Sequence, residues 1–348
     1  MAIGNKIRLL IIDDSALVRK LLSEIFSQTD DIEVIGKAVD PFDAREKIKL
    51  LKPDVLTLDI EMPKMDGITF LANLMRLRPM PVVMISTLTE KGADITFKAL
   101  ELGAVDFVAK PKIDLETGLE EYSEQICTKV RAAAKAKFNT LNIASKIISN
   151  VKYKSKALTN RRQIIAIGSS TGGTEAVKEI LMGLPEESPP IVVTQHIPKL
   201  FSTAFAKRLD GMCDLNVVEG ANGMPIRRGH VYIAPGDRHL TIKEVSGNYI
   251  CRIDDSPAVN RHKPSVDVMF QSVQKVAGQN AIAIILTGMG HDGAREMLEM
   301  SKAGSMTIAQ DEASSVVWGM PRAAVALSAV KMILPLNKIS RYLISLYE

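Results

Sequence analysis

A chain of 348 residues is long enough for one to three domains with separate cores, and 46% hydrophobic and 24% charged residues are ordinary for a globular protein. The formal net charge of +4 is unevenly spread: ten Lys/Arg and no Asp/Glu fall between Lys129 and Arg162, and without those ten, 34 basic residues face 40 acidic ones, a net of −6. No apolar run reaches the length of a membrane span, the first residues lack a secretion-signal pattern, and three distant cysteines (Cys127, Cys213, Cys251) argue against a disulfide framework or zinc site, so a cytoplasmic protein is expected.

Residues 8 to 110 alternate strand-like and helix-like segments. Apolar runs at Arg8–Ile12, Ile32–Ala38, Asp54–Leu58, Pro81–Ile85 and Asp106–Ala109 are separated by stretches of helical periodicity such as Ala16–Phe26 and Phe70–Leu77. Five such alternations predict a parallel sheet wrapped by helices, with ligands at the carboxyl ends of the strands. At those ends stand Asp13-Asp14, Asp59, Ser86-Thr87 and Lys110-Pro111. Crowded carboxylates repel unless a cation joins them, and Mg2+ is the hard ion that suits such oxygens. With its charge shared by a metal, a lysine and a hydroxyl, one carboxylate can then accept a phosphoryl group. As helix N-caps, any one of these acids would be unremarked; the whole set at one end is harder to account for that way.

Asp13-Asp14, Asp59-Ile-Glu61-Met-Pro63-Lys-Met-Asp66-Gly67, Ser86 and Lys110-Pro111 closely resemble a two-component response-regulator receiver domain over about residues 1–125. The resemblance implies that Asp59 is the phospho-acceptor and that Mg2+ is bound by Asp14, Asp59 and the backbone carbonyl of Glu61, with Asp13 acting through water. It also implies that Lys110 pairs with the phosphate, that Ser86 hydrogen-bonds it, and that Phe107 is the switch aromatic. The implied phosphoryl donor is a histidine kinase.

An amphipathic stretch from about Leu119 to Lys137 follows, then a polar, basic segment over 138–160 with no sustained core-type period. Residues 126–160 are thus expected to be a helix end and a linker. The segment has no interleaved aromatics and no DNA-reading motif follows it, so a solvated linker is preferred to a nucleic-acid arm.

Residues 161–348 alternate again, with strands expected at Ile164–Ile167, Pro190–Thr194, His230–Ala234, Ala281–Thr287, Met306–Ala309 and Met332–Leu334. Helices are expected at Gly173–Met182, Leu200–Leu209, Pro264–Val276, Asp292–Lys302 and Asn337–Leu346, and a hairpin between 231–236 and His239–Val245. The whole chain is then α/β, two doubly wound parallel-sheet domains, the second carrying a β-hairpin insertion.

Gly168-Ser169-Ser170-Thr171-Gly172 fits G-x-S-x-G at a strand-to-helix corner, a turn that exposes a serine Oγ beside backbone N–H groups. A phosphate-cradling loop is the competing reading of a glycine-rich helix start, but G-x-G-x-x-G and the Walker lysine are absent. A nucleophilic serine needs a base, and the base an orienting carboxylate. All five histidines (His196, His230, His239, His262, His291) lie in this half, and strand-end placement favours His196 and His291 without separating them.

The turn together with Thr194-Gln195-His196, Tyr232-Ile-Ala-Pro-Gly236, Asn260-Arg-His-Lys-Pro264-Ser-Val-Asp267, Leu286-Thr-Gly-Met-Gly290, Asp292-Gly293 and Gly319-Met-Pro321 resembles the chemotaxis protein-glutamate methylesterase family (CheB type), from about Gln163 almost to the end. The resemblance implies Ser170 as nucleophile, His196 as base, Asp292 as orienter and the Met289 N–H as oxyanion donor. Methyl-accepting chemoreceptors are the implied substrates, by demethylation of glutamate esters and deamidation of glutamines. No cofactor is implied for that chemistry, and neither a nucleic-acid partner nor membrane insertion. An unphosphorylated receiver is expected to restrict the active site. Two departures stand out: Ser169, where alanine is frequent, would add a second hydroxyl beside the nucleophile, and His291 replaces a small polar residue. A nucleotide-binding or dehydrogenase domain and a DNA-binding regulator are the readings from other classes. Neither an acidic ribose partner nor a helix-turn-helix pattern supports them.

Overall fold

A computed structural model describes residues 6–87, 89–110, 119–136 and 163–346. The chain divides into two units, Met1–Ser145 and Lys146–Glu348. The linker read at 138–160, Pro111 and the boundary at residue 161 lie outside the described residues.

The first unit runs β1 (Ile7–Ile12), α1 (Ala16–Ser27), β2 (Ile32–Ala38), α2 (Pro41–Leu51), β3 (Val55–Asp59), α3 (Gly67–Leu77), β4 (Val82–Ser86), α4 (Glu90–Glu101), β5 (Asp106–Ala109) and α5 (Leu119–Lys135). Its five strands pair in parallel in the order β2-β1-β3-β4-β5. β3 and β4 are buried at every residue, as central strands covered on both faces must be, and this is why they read as mainly apolar runs without a polar alternation. Four helix starts carry a side-chain cap on their orphan N–H groups: Ser15, Asp40, Asp66 and Thr89. The chain leaves β1 on one side for β2 and returns on the other for β3, so a crevice opens at their carboxyl ends.

The second unit contains β6 (Ile164–Ser169), α6 (Gly173–Met182), β7 (Ile191–Gln195), α7 (Lys199–Asp210), β8 (Asn216–Glu219), β9 (His230–Ile233), β10 (His239–Val245), β11 (Asn248–Asp254), α8 (Val266–Ala277), β12 (Ala281–Ile285), α9 (Ala294–Lys302), β13 (Met306–Gln310), α10 (Met320–Ala326), β14 (Met332–Leu334) and α11 (Leu336–Ser345). Seven strands pair in parallel in the order β14-β13-β12-β6-β7-β9-β8. The central β6 thus has β7 on one side and β12, which arrives much later in the sequence, on the other. This is the second switch point, and the loops after β6, β7 and β12 meet there.

The expected hairpin is corrected. His239–Val245 pairs with Asn248–Asp254, not with 231–236, because β9 lies inside the large sheet, parallel to β7 and β8. The hairpin turns at Ser246-Gly247, both at positive φ, which suits the twist of a two-residue connection. Its inner face (Leu240, Ile242, Tyr249, Cys251) joins Val266, Met269 and Phe270 of α8 in one core.

Gly168 sits where that core meets the sheet: a Cβ there would lie 2.3 Å from a Val266 methyl. Gly168→Ala is expected to destabilise the second unit by about 1–3 kcal/mol, the usual cost of overpacking, read as a lower midpoint in denaturant unfolding.

Candidate functional site

The first unit gathers its acids at the β1/β3 crevice. Asp13 and Asp59 are buried and Asp14 is exposed, and one oxygen from each lies within 4.8 Å of the others. Lys110 Nζ donates to Asp59 Oδ2 at 2.8 Å and stands 3.8 Å from Asp13 Oδ2. One lysine cannot satisfy both carboxylates: Asp13 Oδ2 and Asp59 Oδ1 are buried without a hydrogen-bond partner. Burial pushes Asp59 up to about 6, with Lys110 opposing and Asp13 adding to the rise. Burial also raises Asp13, against Lys110. Two orphaned hard oxygens and an exposed third carboxylate are a donor set that fits a small divalent cation. Glu61 is exposed two residues beyond Asp59, in the loop that leads to α3.

The Ser86 hydroxyl is buried against Thr96 of α4, 2.7 Å away, and Thr96 Oγ1 also lies 2.7 Å from the Gly92 carbonyl. Phe107 is buried edge-to-face against Phe97, with Lys129 Nζ 4.9 Å from its ring centre. The sequence reading did not single out Thr96, since a threonine inside a helix carries no signal of its own.

In the second unit, Ser169 and Gln195 are the last paired residues of β6 and β7, so Ser170 and His196 emerge side by side from adjacent strands. The His196 N–H donates to the Ser169 carbonyl at 3.1 Å. The Gln195 amide donates to the Ser170 carbonyl at 2.9 Å, tying the two loops together. Ser169 does not offer a second free hydroxyl beside Ser170: it is fully buried and donates to Gln195 Oε1 at 2.7 Å. Gly172 turns the chain at φ +75 into α6, whose first turn has no side-chain cap. Ser170 itself is half-buried.

Of the two strand-end histidines, His196 meets Asp292, with Nε2 2.9 Å from Oδ2, whereas His291 is exposed. The carboxylate fixes the ring proton on Nε2, so Nδ1 keeps its lone pair. That Nδ1 is buried and has no hydrogen-bond partner; no bond to the Ser170 hydroxyl is formed.

Asp292 is 1% exposed and takes donors from the Asn260–Asp267 motif, whose residues the sequence reading gave no role. Ser265 Oγ (2.8 Å), Asn260 Nδ2 (2.9 Å) and the N–H groups of Val266 (2.6 Å) and Asp267 (3.3 Å) all point at it. Burial alone would raise this carboxyl, but His196, Asn260 and the Val266 N–H outweigh it and hold it well below the usual range. Asp292 thereby fills the place of a cap on α8. Asp267, in the first turn of α8, in turn accepts from Gly293 and Glu296 at the start of α9. The two helices cap each other, and Asn260 Nδ2 bridges both carboxylates, 2.6 Å from Asp267 Oδ2. Behind Ser265 lies fully buried His239: its Nδ1 accepts from the Ser265 N–H, and its Nε2 lies 3.1 Å from the Pro257 carbonyl.

On the β12 side, Ser170 N–H donates to the Thr287 carbonyl, and Gly288 is held between Val317 and the N–H groups of Gly319 and Met320. Met289 follows at the rim, half-buried. Among the described residues no helix is long and apolar enough to cross a membrane.

An acidic crevice of this build, on one chain with a serine, a histidine and a buried carboxylate at a second parallel-sheet rim, defines a receiver joined to a hydrolase domain. The chain belongs to the CheB methylesterase family: residues 165–343 match the family model described as CheB methylesterase, and residues 9–120 match that of the response regulator receiver domain. A protein of Hydrogenovibrio crunogenus named protein-glutamate methylesterase/protein-glutamine glutaminase is 52% identical over 99% of this chain and all of its own length. A Xanthomonas campestris protein of the same name, numbered 1, is 55% identical over 99% of both. The crystal structure of the Thermotoga maritima CheB methylesterase catalytic domain matches 53% of this chain and 98% of its own at 39% identity, with a TM-score of 0.52.

Since Asp59 titrates near 6 in the folded unit against 3.8 ordinarily, its bound proton favours folding. That stability is fully present below about pH 4 and is lost as pH rises through about 6. In metal-free buffer the first unit is expected to be less stable at pH 7.5 than at pH 5, on the order of 1–3 kcal/mol from this group. Asp59→Asn should flatten that dependence in denaturant unfolding.

Proposed function

We propose that this chain hydrolyses glutamate γ-methyl esters on methyl-accepting chemoreceptors, releasing methanol, and deamidates receptor glutamines by the same route. The observation that carries the reading is the His196 ring, bound through Nε2 to a buried, ionised Asp292 and left with an unpartnered Nδ1 beside the strand end that bears Ser170.

In this reading Ser170 Oγ attacks the ester carbonyl carbon while its proton passes to His196 Nδ1. The developing oxyanion accepts from the Met289 N–H. The imidazolium returns the proton to the methoxy oxygen, and the C–O bond breaks to release methanol. Water then gives a proton to Nδ1 and attacks the acyl carbon; the imidazolium returns the proton to Ser170 Oγ as the C–Oγ bond breaks, leaving glutamate and the free hydroxyl. With a glutamine the leaving group is ammonia. Asp292 holds the tautomer and stabilises the imidazolium.

The receiver is read as the regulator. Asp59 accepts the phosphoryl group from a histidine kinase, Lys110 pairs with it and Ser86 hydrogen-bonds it. Phe107 serves as the aromatic switch. Asp13, Asp14, Asp59 and the Glu61 carbonyl would hold Mg2+, which when bound supplies positive charge to the transferred phosphoryl oxygens. Phosphorylation lifts a restriction that the receiver, residues 1–125, places on the catalytic domain, residues 161–348. The protein is expected to work in the cytoplasm, where receptor tails and kinase are reached, without nucleic acid.

The test is methanol release from methylated receptor by the full chain. Ser170→Ala should lower the rate by at least ~10³-fold, and Asp292→Asn by roughly 10⁴-fold; full activity in Ser170→Ala would refute the reading. Acetyl phosphate with Mg2+ should raise the wild-type rate and leave Asp59→Asn unchanged, and an equal response in both would remove the regulatory role.

A further inference from the structure

The geometry assigns His262 as the positioning residue for the catalytic base: it is a flat plate that holds the plane of the His196 ring. The inference deepens the esterase reading and rests on it.

The His262 and His196 rings are stacked, with centroids 3.7 Å apart and planes 12° from parallel. Asp292 grips His196 at one edge, through Nε2. A single hydrogen bond fixes a point on a ring and leaves the ring free to tilt about that point. Proton transfer from Ser170 needs the opposite edge, Nδ1, aimed at the serine hydroxyl, and no hydrogen bond holds that edge. Full contact with one face removes the tilt that Asp292 leaves open.

The plate is itself anchored to the triad. Val259 and His262 exchange both backbone hydrogen bonds, at 3.1 and 2.9 Å, closing a turn whose central residues Asn260 and Arg261 have φ of 52 and 66. Two consecutive residues other than glycine in the left-handed region are unfavourable, and such strain persists only where the surroundings impose it. Here Asn260 reaches from the turn to Asp292 Oδ1 and Asp267 Oδ2. The same turn therefore orients the carboxylate at one side and covers the imidazole face at the other. Planarity is the required property, so another flat ring should serve.

The test uses the full chain with His262→Phe, His262→Leu and His262→Gln, and Ser170→Ala as blank. Two rates are measured: labelling of Ser170 by a fluorophosphonate, and methanol release from methylated receptor. His262→Leu and His262→Gln are expected to lower labelling and kcat by roughly 10- to 100-fold, the scale of a misplaced reacting group. KM should stay within about twofold, as expected when only a transition-state arrangement is lost. His262→Phe should remain within about threefold of wild type in both rates, by the same argument from planarity. If Leu misfolds, Gln at this half-buried position carries the comparison. Equal loss in Phe and Gln, wild-type rates in Gln, or a rise in KM at constant kcat would each overturn the assignment. Labelling does not depend on the natural ester: a wild type that labels but releases no methanol would remove the receptor-esterase reading, and the labelling series would still decide the role of His262.

Discussion

A carboxylate buried to 1% exposure is tenable only if its oxygens are surrounded by donors, and much of the catalytic rim follows from meeting that demand at Asp292. Its donors come from three places: the imidazole after β7, the turn before α8, and the first turn of α8 itself. The negative charge sits at the positive end of α8 and gains from the helix dipole there. Asp267 returns the arrangement to α9. One ionised group thus holds the His196 ring, caps α8 and, through Asp267, ties α8 to α9.

The same residue type has the opposite fate at the other crevice. Asp59 has Lys110 on one oxygen, nothing on the other and Asp13 close by, so burial prevails and its pKa climbs to about 6. Asp292, with donors on both oxygens, is driven down despite equal burial. The difference lies in the count of partners. A carboxylate short of partners is suited to receiving a cation and a phosphoryl group, whereas one saturated with donors is suited to staying charged beside an imidazole.

Most of the strand positions were legible, because doubly covered strands such as Val55–Asp59 and Ile164–Ser169 are mainly apolar and run into an acid or a glycine, Asp59 and Gly168. The short edge strand Asn216–Glu219 was not, having little apolar content to show, and Pro235-Gly236 imitated a hairpin turn that the chain makes at Ser246-Gly247. At the site, position alone left His196 and His291 equal, since both follow strands; only the fold turns one toward Asp292 and the other to solvent. Asn260, Ser265 and His262 stood inside a motif but their purpose did not, because it depends on contacts up to 32 residues away for Asn260 and on a ring stacked across the cleft for His262. Ser169 misled for the reverse reason: a hydroxyl next to Ser170 in sequence is turned to Gln195, its partner on the neighbouring strand.

The position of β12 in the sheet has a consequence for how this polypeptide is made. Asp292 lies 96 residues beyond His196, and its strand must insert beside β6 before the imidazole has its partner. A ribosome that has finished β6, β7 and the hairpin has produced Ser170 and His196 but not Asp292. A chain released before that point holds the imidazole without the carboxylate that fixes its ring.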